Sequence, residues 1–84
     1  MWQPDAMMHN LQRSPPSPDL VLLDMFSSKA AREGAVIRRK SRDVDRLIGR
    51  DVFLCELERR GYHAVENAGQ IVIFCNAEPV RVLI

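Results

Sequence analysis

Apolar and polar positions along the chain first repeat at helical spacing and later alternate as in strands. In the segment SPDLVLLDMFSSKAAREG, the apolar residues at helical spacing form one stripe, made of Leu22, Leu23, Phe26 and Ala30. Ser17 is a favoured N-cap, Pro18 suits the first helical position, and Gly34 suits a helix end. The pattern predicts one amphipathic helix that starts after Ser17 and stops at Gly34.

A second helical region is SRDVDRLIGRDVFLCELERRG, with Ser41 as the predicted N-cap and Gly61 as the end. Two apolar patches flank Gly49, the first from Val44, Leu47 and Ile48, the second from Phe53, Leu54 and Leu57. A glycine inside a helix costs about 1 kcal/mol relative to alanine, and Asp51 is able to cap a new start. We therefore expect two consecutive helices with a bend at Gly49.

Strand-like runs lie before and after this second region. They are AVIRR, YHAVE, QIVIFC and VRVLI, rich in β-branched residues. The intervening NAG favours a hairpin with a three-residue loop and a bulge, while Pro79 stops the ladder before the last run. IVIF is apolar on both faces and is expected in the centre, whereas VRVLI (Val80 to Ile84) is expected at an edge.

The order of these elements predicts an α+β domain over residues 17–84: a small antiparallel sheet of three to four strands with helices packed on one face. The additional strand would be Ala35 to Arg39, which would bury Val36 and leave Arg38 at the rim. The preceding segment MWQPDAMMHNLQRSPPSP holds four of the five prolines. Residues 1–16 are therefore expected to form a flexible, proline-rich arm.

Composition narrows the classes of function. A hydrophobic fraction of 46% is typical of a globular chain, and the longest apolar run, LVLLDMF, is too short to cross a bilayer. No basic-then-apolar signal pattern opens the sequence, so we expect a cytoplasmic protein without a membrane partner. Cys55, Cys75, His9 and His63 are the only soft ligands and are widely spaced, so neither a metal nor another cofactor is expected.

The net charge of +1 hides an uneven distribution. Residues 29–50 contain eight basic side chains and three acidic ones, a net of +5, whereas the rest of the chain has a net of −4. Such an asymmetry bears on the choice of partner more than the total charge does.

The expected anion- or partner-binding residues follow from this basic segment: Arg38, Arg39, Lys40, Ser41, Arg42, Arg46 and Arg50. A strand that runs into a helix start offers free backbone N–H groups to an anion, and arginines grip phosphate oxygens in pairs. The spacing of Arg42, Arg46 and Arg50 would continue the positive track along one helix face. Such contacts would bind RNA or DNA without reading its sequence. The alternative is that Asp43 and Asp45 neutralise the track and that it only keeps the protein hydrated.

His63 and Cys75 are the other side chains capable of chemistry. His63 is expected to be an ordinary strand residue, because a general base needs a partner and only Glu66 and Cys75 are conceivable neighbours. Cys75 ends an apolar strand and is most simply a small core or rim residue. No phosphate-binding glycine loop, carboxylate pair or nucleophile elbow is present.

The stretch GYHAVENAGQIVIF, with the helix end LERRG before it, resembles the small double-stranded-RNA-binding-like domains of HicA toxins. The resemblance rests on the Gly-aromatic entry and the glycine turn, between Val44 and Val80. It implies a related fold. In that family a histidine closely follows the turn glycine and carries ribonuclease activity, but here Gln70 and Ile71 follow Gly69, so the resemblance implies no nuclease.

A longer run, SSKAAREGAVIRRKSRDVDRLIGR and onward through RRGYHAVENAGQIVIFCN, resembles small bacterial proteins that often carry the name phosphoribosylanthranilate isomerase. Taken literally, the name implies an enzyme of tryptophan synthesis on an eight-stranded barrel. Such barrels need about 250 residues, whereas this chain has 84, so no catalytic residue is carried over.

These observations favour a non-enzymatic interaction module whose basic strand-to-helix surface binds an acidic protein or a nucleic acid. The alternative is a homo-oligomeric structural protein, for instance a homodimer, assembled through the edge Val80 to Ile84. A small enzyme ranks third.

Overall fold

The computed structural model describes residues 17–84, and the expected flexible arm at residues 1–16 lies outside the described residues. The elements follow in this order: α1 (Pro18–Phe26), α2 (Lys29–Arg32), β1 (Val36–Lys40), α3 (Ser41–Leu47), α4 (Arg50–Arg60), β2 (His63–Asn67) and β3 (Gln70–Phe74). The predicted α+β class is confirmed, with a three-stranded antiparallel sheet.

The first helical region is two helices, not one. Ser17 caps α1 as predicted, and its hydroxyl accepts a hydrogen bond from the Leu20 N–H. The break comes at Ser27 and Ser28, because Ser28 acts as a second N-cap and accepts from the Ala31 N–H while donating to the Met25 carbonyl. The break also changes the buried stripe: Leu22, Met25, Phe26 and Ala31 are buried, whereas Leu23 is exposed.

The bend at Gly49 is confirmed, since α3 ends at Leu47 and α4 begins at Arg50. Gly49 itself is the N-cap of α4, with φ of +99°, so the expectation that Asp51 would cap the new helix is wrong. The predicted end at Gly61 is confirmed, and its φ of +75° is the left-handed conformation that glycine adopts without strain.

The sheet has the strand order β1-β3-β2, and both pairings are antiparallel. The apolar strand β3 is central, as predicted. The loop between β2 and β3 has two residues and not three, because Asn67 pairs with Gln70. Ala68 and Gly69 form this turn with φ of +52° and +76°, the conformation of a type I′ turn.

The place expected for Val80 to Ile84 in the sheet is taken by β1. Residues 80–84 form no strand and are exposed, so the prediction of an edge strand there is wrong for this structure. The chain turns away earlier, because the Cys75 N–H bonds to the Ala35 carbonyl and the Asn76 side chain bonds to the Gly34 carbonyl.

The core lies between the helices and one face of the sheet. Its members are Leu22, Met25, Phe26, Ala31, Ile37, Val44, Ile48, Phe53, Leu57, Ile71, Ile73 and Cys75. Ile37 is the buried residue of β1, whereas Val36 is 43% exposed on the opposite face, so the prediction that Val36 would be buried is wrong by one residue of register. Within residues 17–84, no helix has the length and apolarity needed to span a membrane.

Candidate anion-binding surface

The alternation of β1 divides the basic run between the two faces of the sheet. Arg38 lies opposite Val72 and Lys40 lies opposite Gln70, so both are on the face that the helices leave open. Arg39 lies opposite Ile71 on the helix-covered face, where it is half-buried and its Nη1 donates to the Arg38 carbonyl at 2.7 Å. The three consecutive cations therefore do not form one patch.

None of the strand residues on the open face of the sheet is acidic. The strand register places nine residues on it, in three rows across the sheet: Val36, Phe74 and His63; Arg38, Val72 and Val65; Lys40, Gln70 and Asn67. The first row is largely apolar, the second begins with a cation, and the third consists of a cation and two amides. Positive charge thus increases toward the end of the sheet where α3 begins.

An open groove of about 540 Å³ lies at that end of the sheet, between the start of α3 and the β2–β3 turn. Lys40 and Arg42 line one side of it, and Gly69 and Gln70 line the other. Lys40 and Arg42 are exposed and have no carboxylate within 4.0 Å among the residues the structure describes. The groove therefore presents two free cations beside backbone and amide groups.

Ser41 does not cap α3 as expected. The N-cap is Lys40, which provides no side-chain bond, and Ser41 is the first helical residue. Its N–H donates to the Gly69 carbonyl at 2.8 Å, which fixes the hairpin turn against the helix. Its hydroxyl is buried without a hydrogen-bond partner in the structure. The N–H of Ser41 itself is therefore not free to bind an anion.

Arg50 lies apart from the track that was expected to continue from Arg42 and Arg46. It belongs to α4, and its Nε donates to Asp45 Oδ1 at 2.8 Å while its Nη2 donates to Glu66 Oε2 at 3.0 Å. These two hydrogen bonds raise the pKa of Arg50, with Asp45 as the larger cause. Arg50 is therefore an internal counter-ion and not an exposed contact for a ligand.

The same arrangement keeps Glu66 ionised. The Arg50 guanidinium lowers the pKa of Glu66 to about 2. The Ser41 hydroxyl lies close enough to lower this pKa further, although its geometry falls short of a hydrogen bond. Asp45 lines the groove, and its pairing with Arg50 offsets the negative charge that would otherwise oppose an anion there.

Arg46 is intermediate between the unpaired cations Lys40 and Arg42 and the internally paired Arg50. Its Nη2 lies 3.5 Å from Asp43 Oδ1, and its side chain is 74% exposed. An exposed pair at such spacing contributes little, and one further depression is lined by Arg42, Arg46 and Asp43. Arg46 therefore extends the positive surface beyond the groove, more weakly than Lys40 and Arg42.

We call Arg38, Lys40, Arg42 and Arg46 the basic surface. Of the seven residues predicted from the sequence, these four are exposed, whereas Arg39, Ser41 and Arg50 serve the fold. Gln70 and Gly69 belong to the groove and were missed. The sequence feature that could have indicated these two residues is the short β2–β3 hairpin. When β1 pairs with β3, the turn of this hairpin lies beside the start of α3.

The side chains considered for chemistry are not brought together. His63 is exposed on the open face, whereas Glu66 and Cys75 lie toward the helices. Burial raises the pKa of the Cys75 thiol, which makes it less reactive. Over residues 17–84, no group of three His, Cys, Asp or Glu side chains is arranged to hold a metal ion.

Comparisons of this chain with protein-family models, curated proteins and solved structures found no match.

Proposed function

We propose that the protein is a non-enzymatic binding module of the cytoplasm that holds a nucleic-acid backbone on its basic surface. The observation that carries the proposal is the combination of exposed Arg38, Lys40 and Arg42 with an open sheet face on which no residue is acidic. Phosphate contacts need exposed cations and no further chemistry.

The groove supports this choice, because Lys40 and Arg42 stand at its wall beside Gln70. Amide side chains and backbone groups contact sugar and phosphate oxygens alongside cations. Asp45 is the acidic residue at this place, and Arg50, which it shares with Glu66, offsets part of its charge. The residues that line the groove therefore have a net positive charge, which would attract a phosphate backbone lying in it.

The open face argues against recognition of base sequence. Phe74 is the one aromatic ring among its nine residues, next to the imidazole of His63. Single-stranded RNA readers stack several bases on aromatic side chains. We therefore expect binding that depends on charge and salt and that varies little with sequence.

The test uses a pair of matched variants and a labelled random-sequence oligonucleotide. Lys40→Gln/Arg42→Gln removes two cations of the basic surface, and Lys29→Gln/Arg32→Gln removes two exposed cations of α2, so the net charge changes equally. The first variant should bind a single-stranded oligonucleotide more weakly, and the slope of log affinity against log salt should become shallower by about 0.7 for each lost cation. Equal loss in both variants would show that only total charge matters and would contradict the proposal.

An acidic protein segment is the second candidate partner, and a specific observation favours it. Val36 and Val65 are 43% and 45% exposed on the open face, next to Phe74 and Val72. A phosphate backbone would leave these side chains uncovered, whereas a protein would bury them beside the cations. Capture from nuclease-treated and untreated lysates at two salt concentrations separates the two: retention after nuclease treatment favours the protein.

A further inference from the structure

The far edge of the sheet from β1 carries a second groove, between β2 and α4. It measures about 510 Å³, and its lining includes Leu54, Leu57, Tyr62, Ala64 and Glu58. Leu54 is 49% exposed at this place. Because β2 is an edge strand, its outer backbone groups are unpaired within residues 17–84. An open edge beside an apolar helix face is the arrangement that accepts an added strand.

The chain also has a segment suited to fill such a groove. Val80 to Ile84 alternates in the manner of a strand and has five residues, the same length as β2. Val82, Leu83 and Ile84 are 82%, 87% and 115% exposed. The structure thus leaves an apolar strand-like segment and an apolar strand-accepting edge both uncovered.

The segment cannot add to β2 of its own chain in antiparallel fashion. Asn67, at the other end of β2, lies level with Gln70, six residues before Asn76, so the segment would have to start about 20 Å from Asn76 along the strand direction. Cys75 and Asn76 are tied to Ala35 and Gly34 on the side of β1. The four steps from Asn76 to Val80 reach about 13–14 Å when fully extended. An antiparallel addition therefore requires a second copy.

Charge selects β2 over the other open edge, β1. Arg81 is the one charged residue of Val80 to Ile84. The β1 edge carries Arg38 and Lys40, which would repel it, whereas Glu58 lines the groove at β2 and has no cation within 4.0 Å among the described residues. Arg81 and Leu83 share one side of a strand, so Leu83 would enter the groove beside Ala64 while Arg81 lies level with Glu66 of β2.

We propose that Val80 to Ile84 of one chain adds as an antiparallel strand to β2 of a second copy, and that the exchange is reciprocal. A two-fold axis makes both additions equivalent and closes the assembly as a dimer. Each sheet then has four strands, β1-β3-β2 and the partner's segment. The proposal is independent of nucleic-acid binding, because the basic surface and this groove use different residues.

Sedimentation equilibrium of the full chain tests the dimer. Val82→Pro removes a backbone donor from the added strand, and Leu54→Glu places a charge in the groove. The matched control is Leu20→Glu, which puts the same charge on an exposed leucine of α1, 58% accessible. Both test variants should raise the dimer dissociation constant about tenfold or more, while Leu20→Glu should leave it unchanged.

Charge reversal gives a second readout that a merely unfolded variant would not reproduce. Arg81→Glu should weaken the dimer about 3- to 10-fold because Glu66 and Glu58 would repel it, whereas Arg81→Lys, which keeps the charge, should leave the dimer intact. Val82 and Leu54 are outside the core, so variants at these positions should fold. Circular dichroism of each variant checks this.

Three results would overturn the proposal. One is a chain that stays monomeric at all concentrations. Another is a dimer that is indifferent to Val82→Pro and Leu54→Glu. The third is a monomer in which Val82→Pro shifts the NMR signals of Leu54, because the segment would then dock on its own chain.

Discussion

The guanidinium of Arg50 binds the carboxylates of Asp45 and Glu66 at the same time. Its charge is evident in the sequence, but its partners are not, since Glu66 lies 16 residues away on β2. The sequence likewise identified Arg38 and Lys40 as cations. Their common face became known only from the pairing of β1 with β3. At the scale of residues, charge is predictable from sequence, whereas the availability of that charge depends on tertiary neighbours.

The ion pair of Glu66 predicts a specific pH dependence of stability. Its pKa falls from 4.5 to about 2 on folding, so the unfolded chain takes up this proton first. The contribution of the Glu66–Arg50 ion pair to the free energy of unfolding is fully present above pH 4.5 and is lost as pH falls toward 2. Glu66→Gln should therefore unfold at lower urea than the wild type at pH 7, and the difference should shrink between pH 4.5 and 2.

The measurement is the urea midpoint from pH 7 to pH 2.5, with Glu78→Gln as the control for loss of an exposed carboxylate. The control should follow the wild type. A difference between Glu66→Gln and the wild type that stays constant across the range would show that the ion pair has no role.

The helices and strands were predictable where local signals agree. Ser17, Pro18, Gly49 and Gly61 marked boundaries that the structure confirms. The errors came from signals that compete locally. Ser28 can lie inside a helix or cap a new one, and the structure uses it as a cap. In the hairpin, the letters NAG do not reveal whether Asn67 belongs to the strand or to the loop.

The β2–β3 turn yields a prediction at this scale. Ala68 has φ of +52°, and a left-handed conformation costs a residue with a Cβ about 1–2 kcal/mol. Asparagine tolerates it better and is preferred before glycine in type I′ turns. Ala68→Asn should therefore stabilise the protein by about 0.5–1 kcal/mol.

Thermal and urea unfolding of Ala68→Asn measure this gain, and Ala77→Asn is the control for the same substitution at an exposed position outside the hairpin. Ala68→Asn should raise the free energy of unfolding, whereas Ala77→Asn should not. A neutral or destabilising effect at Ala68 would contradict the turn type.

For the whole molecule, the α+β class, the central position of β3 and the packing of helices on one face followed from the pattern of elements. The identity of the second strand that pairs with β3 did not follow from this pattern. Adjacent segments pair most often, which favoured Val80 to Ile84, but β1 takes that position, and the bonds of Cys75 and Asn76 to Ala35 and Gly34 hold the end of β3 beside it. The result is two unlike edges, a basic one at β1 and an apolar one at β2.

This division of the surface predicts independent behaviours. Binding of an anion should depend on Arg38, Lys40 and Arg42, and self-association should depend on Leu54 and Val82. A Leu54→Glu variant should therefore bind oligonucleotide with the slope against salt of the wild type, measured at concentrations where the wild type is dimeric. If the affinity of Leu54→Glu for the oligonucleotide no longer depended on salt, the basic surface would be complete only in the dimer.

The affinity of the wild-type protein for a random single-stranded oligonucleotide, measured by fluorescence anisotropy across a range of salt concentrations, tests the central claim most directly. Three free cations on the open face and groove, at about 0.7 per phosphate contact, correspond to a slope near −2 in log affinity against log salt. A slope of that size, diminished when Arg38, Lys40 and Arg42 are replaced by glutamine, is the expected result. Absence of binding at low ionic strength, or an affinity that salt does not change, would contradict the account.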